Sequence, residues 1–97
     1  MIIAEFSITP VGTKTTSVGT YVQAALKELE KQSGIRAKPE AMGTVIEAEN
    51  LGDLFHAVEM AHNALFSFGV QRVVTELKID DRRDKEATIE SKTAALR

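Results

Sequence analysis

Glu47 and Glu49 stand two residues apart in the alternating segment Gly43 to Glu49, and Glu5 and Glu76 hold matching polar positions in two other alternating segments. On an extended strand, residues two apart share a face and lie about 6.5 Å from one another, at about 3.3 Å per residue. Paired carboxylates can carry general acid–base chemistry, hold a hard metal ion, meet an organic cation, or form salt bridges on a solvated surface. Their spacing demands no catalysis, and both a salt-bridged surface and a site for a cationic ligand stay open. Ser7, Thr9, Ser17 and Thr44 supply hydroxyls, but no histidine–acid pair accompanies any of them, so no nucleophile triad is legible. His56 and His62 are six residues apart, a spacing that does not stack them as i,i+4 ligands on a helix. His62, beside Ala61 and Leu65, reads as a packed, hydrogen-bonded histidine. Gly12, Gly19 and Gly43 form neither of the common phosphate-cradling motifs, so ATP and dinucleotides have no site. Tyr21 follows the Pro10-to-Thr20 loop, which could fold it toward the end of a sheet. There it would either cover a heteroaromatic ligand or pack at a subunit seam.

These groups need strands and helices to position them. Residues 2–9 read as a strand with Ala4, Phe6 and Ile8 on one side and Glu5, Ser7 and Thr9 on the other. Pro10-Val11-Gly12 breaks that alternation, because proline cannot donate to a central ladder. Ser17 is the expected N-cap of a helix from Val18 to about Gln32, with Val18, Val22, Ala25, Leu26 and Leu29 on its apolar face and Ser33-Gly34 ending it. Ile35 to Ala41 is a short strand, and Pro39 suits a sheet edge. After the Met42-Gly43 turn a strand opens at Thr44 and ends near Glu49. A second helix starts at Asn50 or Leu51, buries Leu54, Val58, Ala61 and Leu65, and closes at Phe68-Gly69. The last long strand ends at Asp80, and residues 88–97 form a short helix or a tail that orders against a partner. This strand–helix–strand–strand–helix–strand order predicts an α+β, ferredoxin-like βαββαβ sandwich: a four-stranded antiparallel sheet with both helices on one face. The other face would stay open, exposing Ile3 and Val45 beside Glu5, Glu47, Glu49 and Glu76. Mixed surface of this kind suits pairing with another subunit.

Composition narrows the partners. The 97 residues suffice for a single domain, 1–97. The formal net charge is -2, from 12 basic and 14 acidic residues, and the one basic run, Arg82-Arg83 with Lys85, is interleaved with Asp80, Asp81, Asp84 and Glu86. It lacks the concentrated footprint that nucleic acid requires. A solvated turn, a subunit contact and an anion contact are its readings. No Cys is present, which excludes disulfides, thiolate zinc sites and cysteine nucleophiles. Met1 to Glu5 has no basic segment of the signal-peptide kind, and no apolar run approaches the roughly 18 residues that span a bilayer. The expectation is a cytoplasmic, non-enzymatic protein without cofactor or metal, binding neither nucleic acid nor membrane.

Several segments together carry a resemblance. Met1-Ile2-Ile3-Ala4-Glu5-Phe6-Ser7 precedes Pro10-Val11-Gly12, then come Ser17-Val18, Tyr21-Val22, Met42-Gly43-Thr44, Ile46-Glu47, Arg72-Val73 and the run from Lys78 to Lys85. In order and spacing, over nearly the whole chain, they resemble the small thiamine-binding protein family. That resemblance implies a ferredoxin-like fold, homodimers or homotetramers joined through sheet faces, and binding of thiamine or its hydroxymethylpyrimidine moiety without turnover, in a pocket at the paired-sheet interface. A thiazolium cation would need carboxylates and hydrogen bonds to compensate its burial. On this reading Glu47 or Glu49 meets the charged or amino group, Ser7 and Thr44 make short polar contacts, and Tyr21 with Val11 and Gly12 bounds the pocket. Ala41 departs from the proline that commonly precedes Met-Gly-Thr, and His62-Asn63 stands where many relatives have His-Glu. The competing reading is an oligomeric regulatory or scaffold protein without a thiamine-related ligand.

Overall fold

Strand β1 (Ile2–Val11) sorts its side chains by parity: Ile2, Ala4, Phe6 and Ile8 enter the main core, each no more than 8% exposed. The computed structural model describes residues 1–96. It continues with helix α1 (Gly19–Glu30), strands β2 (Ile35–Pro39) and β3 (Thr44–Ala48), helix α2 (Leu51–Phe66), strand β4 (Arg72–Asp80) and helix α3 (Ile89–Ala94). The strands lie in the order β2-β3-β1-β4 with every neighbour antiparallel, the expected ferredoxin-like topology. Ala25 and Leu29 of α1 and Leu54, Ala57, Ala61 and Leu65 of α2 pack on the even-numbered face of β1 together with Ile46 and Ala48. Val58, expected in the α2 stripe, lies at its margin. Asn50 caps α2 as expected, its side chain accepting from the Asp53 N–H at 2.8 Å. His62 is packed and hydrogen-bonded, its Nδ1 2.6 Å from the Thr75 hydroxyl on β4.

Three expectations change. The N-cap of α1 is Val18, without a side-chain cap, rather than Ser17. The hydroxyl-rich loop before it bonds within itself: the Thr13 hydroxyl donates to the Thr15 carbonyl, and the Ser17 N–H donates to the Thr15 hydroxyl. That leaves Ser17 in the loop. Second, β1 does not stop at Thr9 but runs through Pro10, which lies opposite Val73. Proline is tolerated because β3 accompanies β1 only as far as Phe6, so beyond that point β1 is an edge on that side.

The third change concerns the face opposite α1 and α2, which is not left open. Residues after β4 fold back, and α3 starts with a capping box between Thr88 and Ser91. Ala87 and Ile89 cover Ile3, with Val45 beside them, forming a second small core. The Glu47 carboxylate, nearly buried, accepts from the Ile89 N–H at 2.8 Å and from the Arg36 guanidinium at 3.0 Å. Arg36 also pairs with Glu90, and Lys92 pairs with Asp80. Segment 88–97, expected as a helix or a partner-ordered tail, therefore orders against its own sheet, with Arg97 outside the described residues. The uncovered part of this face is the half around Glu5, Ser7, Val74 and Glu76.

Glu47→Ala leaves the buried Ile89 N–H without its acceptor and the Arg36 guanidinium with Glu90 alone. It should lower stability by about 2 kcal/mol, a typical loss for a charged, buried hydrogen-bond acceptor. Glu5→Ala, on the exposed part of the same face, should be close to neutral. Urea unfolding of the two variants checks both. A pH effect follows from the Arg36–Glu90 pair, which holds the Glu90 carboxyl below its usual value of 4.5. A lowered folded value means that the contribution of the pair is complete above 4.5 and is lost as pH falls through the folded value. Amide chemical shifts of α3 should therefore move as the solution is acidified below that range, and Glu90→Gln should abolish that component.

Candidate functional site

The length mismatch between β1 and β3 opens a cleft at the end of the sheet. β1 has 10 residues and β3 has 5, and their pairing ends at Phe6 opposite Thr44. The Phe6 carbonyl oxygen lies only 3.1 Å from where a Cβ on Gly43 would stand, so Phe6 aims its backbone at the β3 side. In an antiparallel ladder a residue turns its N–H and C=O the same way, and alternate residues turn alternately. Ile8, two residues on, therefore presents an N–H and a C=O to the β3 side, where no strand follows. The parity also explains Pro10, whose missing N–H would have pointed to the same empty side.

A cleft of about 270 Å³ fills that position. One wall is the Val22, Ala25 and Leu26 side of α1; the other is the turn between β2 and β3. The Glu40 N–H donates to the Gly43 carbonyl at 2.8 Å, so this turn closes without a proline at Ala41. Glycine is favoured at position 43 because a Cβ there would stand 3.1 Å from the Phe6 carbonyl oxygen, closer than ordinary contact. Met42 at the tip is 93% exposed, an apolar side chain beside the cleft mouth with nothing packed over it. Ser7 and Thr44 both line the cleft. Thr44 sits opposite Phe6 and shares its helix-side face, whereas Ser7 is one residue further and belongs to the other face. The two hydroxyls thus flank the step where the sheet loses a strand.

The remaining expected site residues lie elsewhere. Tyr21, Val11 and Gly12 line a separate hollow of about 430 Å³ with Phe68, whose ring meets Tyr21 edge-on at 5.8 Å. Glu49 is exposed at the opposite end of the sheet, in a shallow surface with Asn50 and Arg83. Glu47 is committed to Arg36 and to the α3 backbone. The carboxylate that lines the cleft is Glu40, paired at 3.5 Å with Lys38, and the Glu5 side chain passes the base of the turn. Sequence reasoning missed Glu40 and Ile8. Glu40 stands in an irregular turn that no periodicity marks, and Ile8 enters through its backbone. The unequal strand lengths were the available signal. Nor is the basic run a free cationic patch: Arg82 pairs with Asp84 and Arg83 with Asp81, which holds both aspartates below the usual carboxylate range.

Chemically, the cleft combines a strand-edge donor and acceptor, two hydroxyls, one carboxylate and an aliphatic wall. A flat heteroaromatic with adjacent hydrogen-bond donor and acceptor atoms fits that inventory. Among the described residues no group of three or more His, Cys, Asp or Glu is placed to hold a metal ion, and no helix is long and apolar enough to cross a membrane. The Ile8 amide should exchange with solvent at least about 100-fold faster than that of Phe6, although both lie inside one strand, because only Phe6 has β3 on the side its amide faces. Residue-resolved hydrogen exchange of the free protein checks this.

Comparison with known proteins agrees with the fold and adds a family. Residues 4–97 match the sequence profile of the family described as thiamine-binding protein. A UPF0045 protein of Methanothermobacter thermautotrophicus is 43% identical over 97 residues, covering 100% of this chain and 97% of that protein. The UPF0045 protein YqgV of Bacillus subtilis is 44% identical over 99 residues, covering 99% of this chain and 94% of the relative. The crystal structure of the hypothetical protein MJ1052 from Methanocaldococcus jannaschii superposes with a TM-score of 0.89 at 42% identity, covering 98% of this chain and 94% of that one.

Proposed function

This chain belongs to the thiamine-binding protein family, and from that premise we propose that it binds thiamine, or the hydroxymethylpyrimidine part of it, without turning it over. The observation that carries the reading is the unpaired backbone of Ile8 inside a cleft walled by α1 and the Met42-Gly43 turn. An aminopyrimidine presents an amino donor next to a ring-nitrogen acceptor, the complement of one strand residue's C=O and N–H. Ser7 and Thr44 then hydrogen-bond the ring's remaining polar atoms. Val22 and Leu26 cover its face, and Glu40, released from Lys38, meets the thiazolium charge.

On this reading a second copy packs on the uncovered half of the sheet, beside Ser7 at the cleft mouth, and completes the enclosure. Tyr21, Val11 and Gly12, in the neighbouring hollow, bound the site from the other side of the α1 N-terminus.

Calorimetric titration with thiamine, its phosphates and hydroxymethylpyrimidine tests the proposal. Saturable binding is expected, together with slowed exchange of the Ile8 amide. Thr44→Val and Glu40→Gln should each weaken binding about tenfold, in line with the loss of one hydrogen bond or charge contact, with Glu40→Gln affecting thiamine and sparing the uncharged pyrimidine. Absence of binding by all these compounds would leave the oligomeric scaffold as the better account.

A further inference from the structure

The two walls of the cleft differ in how firmly their side chains are held. On α1, Ala25 is fully buried and Leu26 packs against the main core, so that wall is fixed. The opposite wall is the turn between β2 and β3. Its backbone is fixed as well, by the pairing of Pro39 with Thr44 at its base and by the Glu40 N–H on the Gly43 carbonyl. Its one long apolar side chain is not: Met42 lines the cleft and is 93% exposed. Methionine is unbranched and has three rotatable bonds, so from an anchored backbone the thioether can swing across the mouth. A ring seated on Val22 and Leu26 turns its second face toward this wall. Covering it would bury the exposed thioether and bring sulfur against an aromatic ring, both favourable.

Redox chemistry singles out the same side chain. The chain has no cysteine, so an oxidant meets no thiol, and the thioethers of its three methionines are the readily oxidised groups. Access separates the three. Met60, on α2, is 36% exposed, and Met1, just before β1, is partly buried. Met42 alone stands almost wholly in water.

We propose that Met42 is a redox-sensitive cover of the cleft: a peroxide converts its thioether to the sulfoxide and thereby loosens the ligand. The proposal rests on the binding described under the proposed function. One oxygen passes from hydrogen peroxide to Sδ as the O–O bond breaks; sulfur loses two electrons and water leaves. Reversal takes two electrons and two protons from a dithiol, which becomes a disulfide while the oxygen departs as water. Without cysteine the chain cannot supply that dithiol, so the reductant must come from outside. The sulfoxide is polar, and laying it on an apolar ring face strips water that the ring does not replace. Met42 belongs to neither core, so the modification acts on the site and spares the fold.

Treatment of the full chain with hydrogen peroxide, mass spectrometry of its peptides and calorimetric titration with thiamine test this. Oxygen is expected on Met42 at least about tenfold faster than on Met60. Thiamine affinity should fall about tenfold in the oxidised protein while the urea midpoint stays unchanged. Methionine sulfoxide reductase with a dithiol should restore it. Met60→Leu should keep this response, and Met42→Leu should lose it, its treated and untreated forms binding alike. Oxidation of Met42 no faster than that of Met60 overturns the proposal, the result expected if a second copy seals the mouth. Thiamine binding that survives oxidation of Met42 overturns it as well and leaves the binding reading intact. An untreated chain that binds neither thiamine nor hydroxymethylpyrimidine overturns that reading and this proposal together.

Discussion

β1 runs 10 residues through the middle of the sheet, and β3 accompanies it for only half that distance. Buried backbone groups must find partners, so a central strand that outruns its neighbour must end in water, in a covering loop or against a ligand. Here the outrun half borders a cleft, and the same step accommodates Pro10 and favours glycine at position 43. The position of the cleft is therefore a property of strand registration. Side chains decorate a geometry that the backbone has already set.

Glu47 shows a second way in which one group organises its surroundings. A nearly buried carboxylate on a sheet is unfavourable unless its oxygens are satisfied. Arg36 from β2 and the first N–H of α3 satisfy it. The helix is thereby fixed on the sheet by a polar contact at its start and by Ile89 and Ala87 on Ile3. An acid that looks available for a ligand in the sequence is the anchor of a structural element, while the half of the face beyond α3 remains bare.

The fold was legible because period-two and period-3.6 patterns coincide with the caps and turns that separate them. β1, α2 with its Asn50 cap, and β4 all fall within a residue or two of their expected bounds. The site was legible only in part. Ser7 and Thr44 reach the cleft, whereas Glu47, Glu49 and Tyr21 sit on three other surfaces. Alternation tells which face a residue takes, but not how far along the sheet its neighbours extend or what later folds over it. Ile3 illustrates the limit. Its parity correctly sends it away from α1 and α2, yet it is 7% exposed because residues more than 80 positions later cover it.

The central place of β1 also bears on how this molecule reaches its native state. Its two partners lie far ahead in sequence, Ile3 meeting Glu47 on one side and Asp80 on the other. Neither ladder can close as a local hairpin, and the entropy of closing such loops precedes any reward from pairing. The β2–β3 hairpin can assemble early and wait. β4 is the last strand in chain order, and the residues that follow it supply Ala87 and Ile89 to the second core. Topology, more than stability, sets the tempo of this fold.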